Sequence, residues 1–250
     1  MRNWLLKWLK LHEEEIAIFL WAAALLFLLR SSGMILNNYA ETAFLKRYGV
    51  EYLPIVNMLN SVATFVLTGV LAAFMARVTG ARLLAMLFIF CGLSVGAIRF
   101  LIPMGYDLIY PVLFMLKSQF ELLEALLFWN LANDLFNTRQ SKRIFPLLTA
   151  GGVIGLIIGS FGTPYLADWL RFDNLLLVYL AVSLVGAMTV KAMQVHMREI
   201  SPGTHRTKRV AGRPPLKQQL RNVLPLIRES TLIKIVLVLT FMPNVVIPIM

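Results

Sequence analysis

"DLIYPVLFMLKSQFELLEALLFWNLANDLF", residues 107–136, decides how this chain is to be read. The stretch is long enough to cross roughly 30 Å of hydrocarbon as a helix rising 1.5 Å per residue. Yet Lys117, Glu121 and Glu124 lie inside it, four and three residues apart, so they stack on one helical face. Counting from Leu108, Lys117 lies ~14 Å deep, near mid-membrane. A charge there costs at least ~2.5 kcal/mol. The row cannot face lipid, so the helix must turn it toward a protein interior or a wet cavity. Asn130, Asn133 and Asp134 extend the polarity toward the inner end. Two readings stand: a substrate pathway, or a staple in which Lys117 pairs with Glu121 and the set ties neighbouring helices together. Two acids and one base leave a residual negative charge, which a staple does not need.

The rest of the chain supplies the bundle that such a helix requires. Of 250 residues, 58% are hydrophobic and only 15% charged, with mean hydropathy +0.72; a soluble domain carries about 25% charged residues. The apolar residues fall into spans near 16–43, 52–76, 83–103, 108–134, 144–168 and 174–196. Backbone groups in lipid must be satisfied within each segment, so the expected fold is an all-α polytopic membrane helix bundle. Residues 1–15 read as an amphipathic interfacial helix, with Trp4, Leu5, Trp8, Leu9 and Leu11 opposite Lys7 and Lys10. Residues 16–196 form the six-span block, 197–230 a basic cytoplasmic loop rich in Pro and Gly, and 231–250 the start of a seventh span. A longer protein is expected to follow. Six spans, a long loop and more spans match the layout of one half of a major-facilitator transporter, built of three-helix repeats, with the C-terminal half of the same transporter as its partner. "GVLAAFMARVTGARLL", residues 69–84, loosely resembles the facilitator loop between helices two and three, with Ala76 where an acid would stand.

The net charge of +11 sets orientation and does not indicate a nucleic-acid partner. With the N-terminus cytoplasmic, sixteen of the 24 basic residues fall on inside segments, three on outside loops and five within spans. That is the positive-inside pattern. Cys91 is a lone mid-span cysteine, so neither a disulfide within the chain nor a metal cluster is expected. The start "MRNWLLKWLKLHEEE" is no secretory signal, since three glutamates precede the apolar run. His12, His196 and His205 lack partners at ligand spacing. No cofactor, metal or enzymatic chemistry is expected.

Span one carries a second polar face, with Arg30, Asn37 and Glu41 spaced seven and four apart. If spans one and four face each other, Arg30 would neutralise Glu121 or Glu124. Alternatively, Arg30 and Glu41 snorkel to the outer surface, as Arg99 is expected to do. Ser31, Ser32 and Gly33 would let the helix bend or approach a ligand closely. In span five, Gly151, Gly155 and Gly159 form a strip on which another helix backbone can rest, and Gly162 with Pro164 favours a bend. "GGVIG" is no nucleotide fingerprint, because it lies within a membrane helix. Lys142 and Arg143 stand at the inner mouth, where they can grip an anion or merely set orientation.

"FWNLANDLFNTRQSKRIFPLLTAGGVIG", residues 128–155, resembles the signature of the non-mitochondrial ATP/ADP carriers in its Phe-Trp, Ala-Asn-acid and Lys-Arg-x-x-Pro-Leu elements. Phe128, Trp129, Ala132, Asn133, Lys142, Arg143, Pro146 and Leu147 match, and Asp134 stands where the family has an acid. Arg30 fits the family's Arg in the first helix. Two departures matter. Ser31, Ser32, Gly33 and Met34 replace the Asp-Thr-Lys-Asp run of ATP/ADP exchangers, and Gln140 replaces an acid. The resemblance implies an antiporter or proton symporter working by alternating access, in the inner membrane of a bacterium, with a nucleotide or another organic anion as substrate. The alternative is a facilitator-like membrane module that senses or signals without transport.

Overall fold

The computed structural model describes residues 13–75 and 78–200. The expected interfacial helix, the basic loop and the seventh span therefore lie almost wholly outside the described residues. Six α-helices fill the rest: α1 Glu13–Tyr48, α2 Leu53–Met75, α3 Gly80–Leu101, α4 Ile109–Leu135, α5 Thr138–Leu170 and α6 Leu175–Ile200. Short 3-10 turns at Val50–Tyr52, Ile102–Met104 and Phe172–Asn174 join them, and no strand occurs among the described residues. The protein is an all-α membrane helix bundle.

Five of the helices are long and apolar enough to cross a membrane. The exception is α4, which has the length, 27 residues or ~40 Å, but carries Lys117, Glu121, Glu124 and Asp134. It packs against α1, α2 and α3, so most of its surface meets protein. At 36 and 33 residues, α1 and α5 exceed a straight crossing.

Helix α5 starts six residues earlier than its apolar run suggests. The Asn137 backbone N–H donates to Gln140 Oε1 at 2.9 Å, half of a capping box that nucleates the helix inside the polar linker. The helix then runs unbroken through Pro146 and Pro164.

The pattern of helix contacts carries an internal repeat. The main touching pairs are α1 with α4, α5 and α6, α3 with α4 and α6, and α2 with α4; α2–α3 and α5–α6 touch slightly. Exchanging α1 with α4, α2 with α5 and α3 with α6 maps this set onto itself. Two three-helix units related in this way pair α1 with α4, and α3 with α6, across the repeat axis.

The α1–α5 contact is the closest. A side chain at Gly155 would stand 2.7 Å from the Phe27 carbonyl oxygen, and one at Gly159 2.6 Å from that of Ser31. The glycine strip therefore seats the α1 backbone directly, where only hydrogen fits.

Candidate functional site

Two apolar clusters hold the ends of the bundle. One gathers Leu25, Leu26 and Leu29 of α1 with Leu127, Phe128 and Leu131 of α4. The other gathers Leu36, Tyr39 and Ala40 with Leu113 and Phe120. Along α1 the first ends at Leu29 and the second begins at Ile35; along α4 they meet between Phe120 and Leu123. Arg30 and Glu121 occupy this break, and Asn37, Glu41 and Lys117 lie alongside the second cluster.

Arg30 Nη1 donates to Glu121 Oε1 at 3.1 Å, joining α1 to α4. Nearer the N-terminus of α4, Lys117 Nζ donates to Glu41 Oε1 at 2.6 Å and to Asn37 Oδ1 at 2.7 Å, and lies 4.3 Å from the centre of the Phe114 ring. Each helix thus supplies one base to the other's acid. This corrects the partner expected for Lys117, which pairs across to α1 and leaves Glu121 to Arg30, while the charged set does tie two neighbouring helices together. It also removes the snorkelling alternative for Arg30 and Glu41, since their charges are satisfied across the seam. The bases are the more enclosed partners, at 27% and 6% side-chain exposure against 51% and 49% for Glu121 and Glu41.

Glu124 is different. It is 1% exposed and forms no ion pair among the described residues; Tyr179 of α6 donates its hydroxyl to Oε1 at 3.1 Å. A pocket of about 130 Å³ opens beside it, lined by Leu29, Arg30, Gly33, Met34, Asn37, Glu121, Glu124 and Leu156. Its volume corresponds to about four waters. Ser31 and Ser32 turn their hydroxyls back to the carbonyls of Leu28 and Leu29. Gly33 has no neighbour within 4 Å of a would-be side chain, so it widens the pocket.

The remaining sequence candidates gather elsewhere. Asn130, Asn133 and Asp134 do not line the pocket. A side chain at Gly80 would meet Asn130 Nδ2 at 2.6 Å and Asp134 Oδ2 at 3.5 Å, so the start of α3 presses on the C-terminal end of α4. Asn133 is exposed. Lys142 is exposed too, consistent with a mouth position, whereas Arg143 is engaged: its Nη2 reaches Glu15 Oε1 at 3.2 Å and Oε2 at 3.4 Å. Gln140 Nε2 also donates to Glu15, at 2.8 Å. Arg143 thus clasps α5 to α1, and only Lys142 is left facing outward. Arg99, expected to snorkel, donates through Nε and Nη2 to Asn174 Oδ1 at 3.1 and 3.0 Å, locking α3 to the turn before α6.

Several residues that matter are silent in the sequence. Tyr179 sits in the apolar run "LLLVYLAVSLVG" and looks like another core residue. Gln119 donates through Nε2 to Asn60 Oδ1 at 2.6 Å and to Thr64 Oγ1 at 2.8 Å, fastening α2 to the far side of α4. Its period opposite Lys117 and Glu121 was the available signal. No group of side chains suited to a metal ion occurs among the described residues.

No family model, curated protein or solved structure matches this chain.

Proposed function

We propose that the chain is the N-terminal half of a major-facilitator-like secondary carrier, moving a nucleotide or another organic anion by alternating access. The observation that carries this reading is the reciprocal pairing of Arg30 with Glu121, at the break between the two apolar clusters and beside an open pocket, and of Lys117 with Glu41, alongside the second cluster. Fixed bases with exposed acids form a site that an anion can enter by substitution. A phosphate or carboxylate offers the same charge-assisted hydrogen bonds as Glu121 or Glu41 and displaces them from the cations. The exchange symmetry of the helix contacts supports the facilitator architecture, because such halves are built from inverted three-helix repeats with the site on the axis. The resemblance of residues 128–155 to the ATP/ADP carriers makes nucleotides the first substrates to try. Gln140 and the Ser31–Met34 run argue for a branch whose preference differs from ATP/ADP exchange.

The test is uptake of radiolabelled ATP, ADP and simple organic phosphates into proteoliposomes containing the full-length protein. Arg30→Ala and Lys117→Ala each remove a charged hydrogen-bonding group and should lower uptake about ten- to hundredfold. Lys142→Ala should cause a smaller, salt-sensitive loss. Binding without uptake, unchanged by either cation variant, would instead establish the sensing module.

A further inference from the structure

The charges of the pocket do not balance, and the imbalance falls on one residue. Arg30 is matched by Glu121 and Lys117 by Glu41. Glu124 is the remaining acid, it is 1% exposed, and its single hydrogen bond comes from a neutral hydroxyl. Every other titratable group facing it is accounted for. Tyr179 of α6 is its donor, and Cys91 of α3 lies beside it as a buried thiol. Glu121, one turn away on α4, is itself negative and committed to Arg30. Arg30 of α1 is the only cation lining the pocket, while α2 carries no titratable residue. Ser183, one turn beyond Tyr179, is buried with no hydrogen-bond partner among the described residues. An ionised carboxylate in such a place would lack both a counter-charge and the water that normally replaces one. As the neutral acid it needs neither.

We propose that Glu124 is the proton-binding site of this carrier, loading and releasing one proton through the pocket and thereby coupling transport to a proton gradient. The proposal rests on the transport reading for its coupling role, but not for the proton site itself. In the loading step a proton passes from pocket water to a carboxylate oxygen of Glu124, giving the neutral acid that its buried setting without a counter-charge favours. In the release step the proton returns to pocket water and leaves a carboxylate. Among the described residues, the cation placed to neutralise that carboxylate is Arg30, which a helix movement would have to free from Glu121. Proton and anion are thus linked through a shared guanidinium: an anion that takes Arg30 leaves Glu124 with no counter-charge and so favours its protonated form. The expected coupling is co-transport of anion and proton in the same direction.

Two measurements on the full-length protein test this. Infrared difference spectra between acid and alkaline pH should show the carbonyl stretch of a buried protonated carboxyl at neutral pH, shifted by deuterium exchange and absent in E124Q. Its absence from the wild type, or its persistence in E124Q, would overturn the proposal. In proteoliposomes, the ratio of ATP uptake with an inward proton gradient of one pH unit to uptake without it should approach about tenfold for one coupled proton. In E124Q the ratio should fall to about one, whatever the absolute rate, and E124D should partly restore it. An equal ratio in wild type and E124Q would refute the coupling. If the band is present and no nucleotide, phosphate ester or other anion moves, the transport reading fails while Glu124 stands as a proton site.

Discussion

The glycine seam between α1 and α5 makes the sharpest quantitative prediction. Alanine at Gly159 would place its methyl carbon 2.6 Å from the Ser31 carbonyl oxygen and 3.0 Å from both the Met34 β-carbon and the Ser31 α-carbon. The oxygen and α-carbon are backbone, so no rotamer change relieves the contact. To reach ordinary contact at 3.4 Å the helices must separate by about 0.8 Å along this line. Overpacking of this kind costs about 1–3 kcal/mol. Alanine at Gly162, on the same helix one turn on, meets nothing within 4 Å and serves as the reference. Both substitutions gain the same helix propensity, up to about 1 kcal/mol, so their difference isolates the seam. Reversible unfolding in mixed micelles should find Gly159→Ala less stable than Gly162→Ala by about 1–3 kcal/mol. A difference within about 0.5 kcal/mol would show that α1 does not rest on these glycines.

Three further outcomes follow from individual contacts. Glu41→Gln strips the counter-charge from a buried lysine, whereas Lys117→Met leaves a half-exposed glutamate facing out. The former should therefore cost more stability, by about 1–3 kcal/mol, and the double variant should recover most of it in a mutant cycle. Gly33→Phe should fill the pocket without disturbing the packing, so thermal stability should hold while anion uptake falls to background. Gln140→Glu turns the amide that donates to Glu15 into a second carboxylate; it should lower stability by about 1 kcal/mol, most clearly at low salt, with Glu15→Gln restoring it.

What the sequence discloses depends on whether a property is local or relational. Each helix is predictable from its own apolar length, and the six observed helices sit on the six expected spans. The shared face of Lys117, Glu121 and Glu124 follows from their spacing, as does the glycine strip of α5. The identity of their partners does not. Whether Lys117 meets Glu121 below it or Glu41 across from it depends on how α1 is rotated about its axis, which distant packing against α5 and α6 decides. Tyr179 is unreadable for a related reason: a buried tyrosine in an apolar run gains a role only when a particular carboxyl is brought beside it. The early start of α5 was legible. Asn137 and Gln140 have capping-box spacing, but the charges of Arg139, Lys142 and Arg143 made the same residues look like a loop.

The distribution of rigid and exchangeable contacts explains how one bundle can be both stable and responsive. Where α1 meets α5, backbone rests on backbone across glycine, and near their N-termini Glu15 is clasped by Gln140 and Arg143. Where α3 meets α6, Gly92 and Gly96 admit Leu180 closely, and Arg99 grips Asn174 at the end of the pair. These seams have no cheap alternative arrangement, so each pair of helices should move as a unit. The α1–α4 seam is of another kind at mid-depth. It is closed by ion pairs whose acids are half-exposed, and an anion can replace a carboxylate without opening an apolar contact. Helices α1 and α4, like α3 and α6, are exchanged with each other by the repeat. A ligand that swaps the ion pairs would therefore act on the contact of α4 with α1, within a bundle whose two three-helix units the α1–α5 and α3–α6 seams hold together. The cations are embedded and the acids are loose, so the ligand able to exert that leverage is negatively charged.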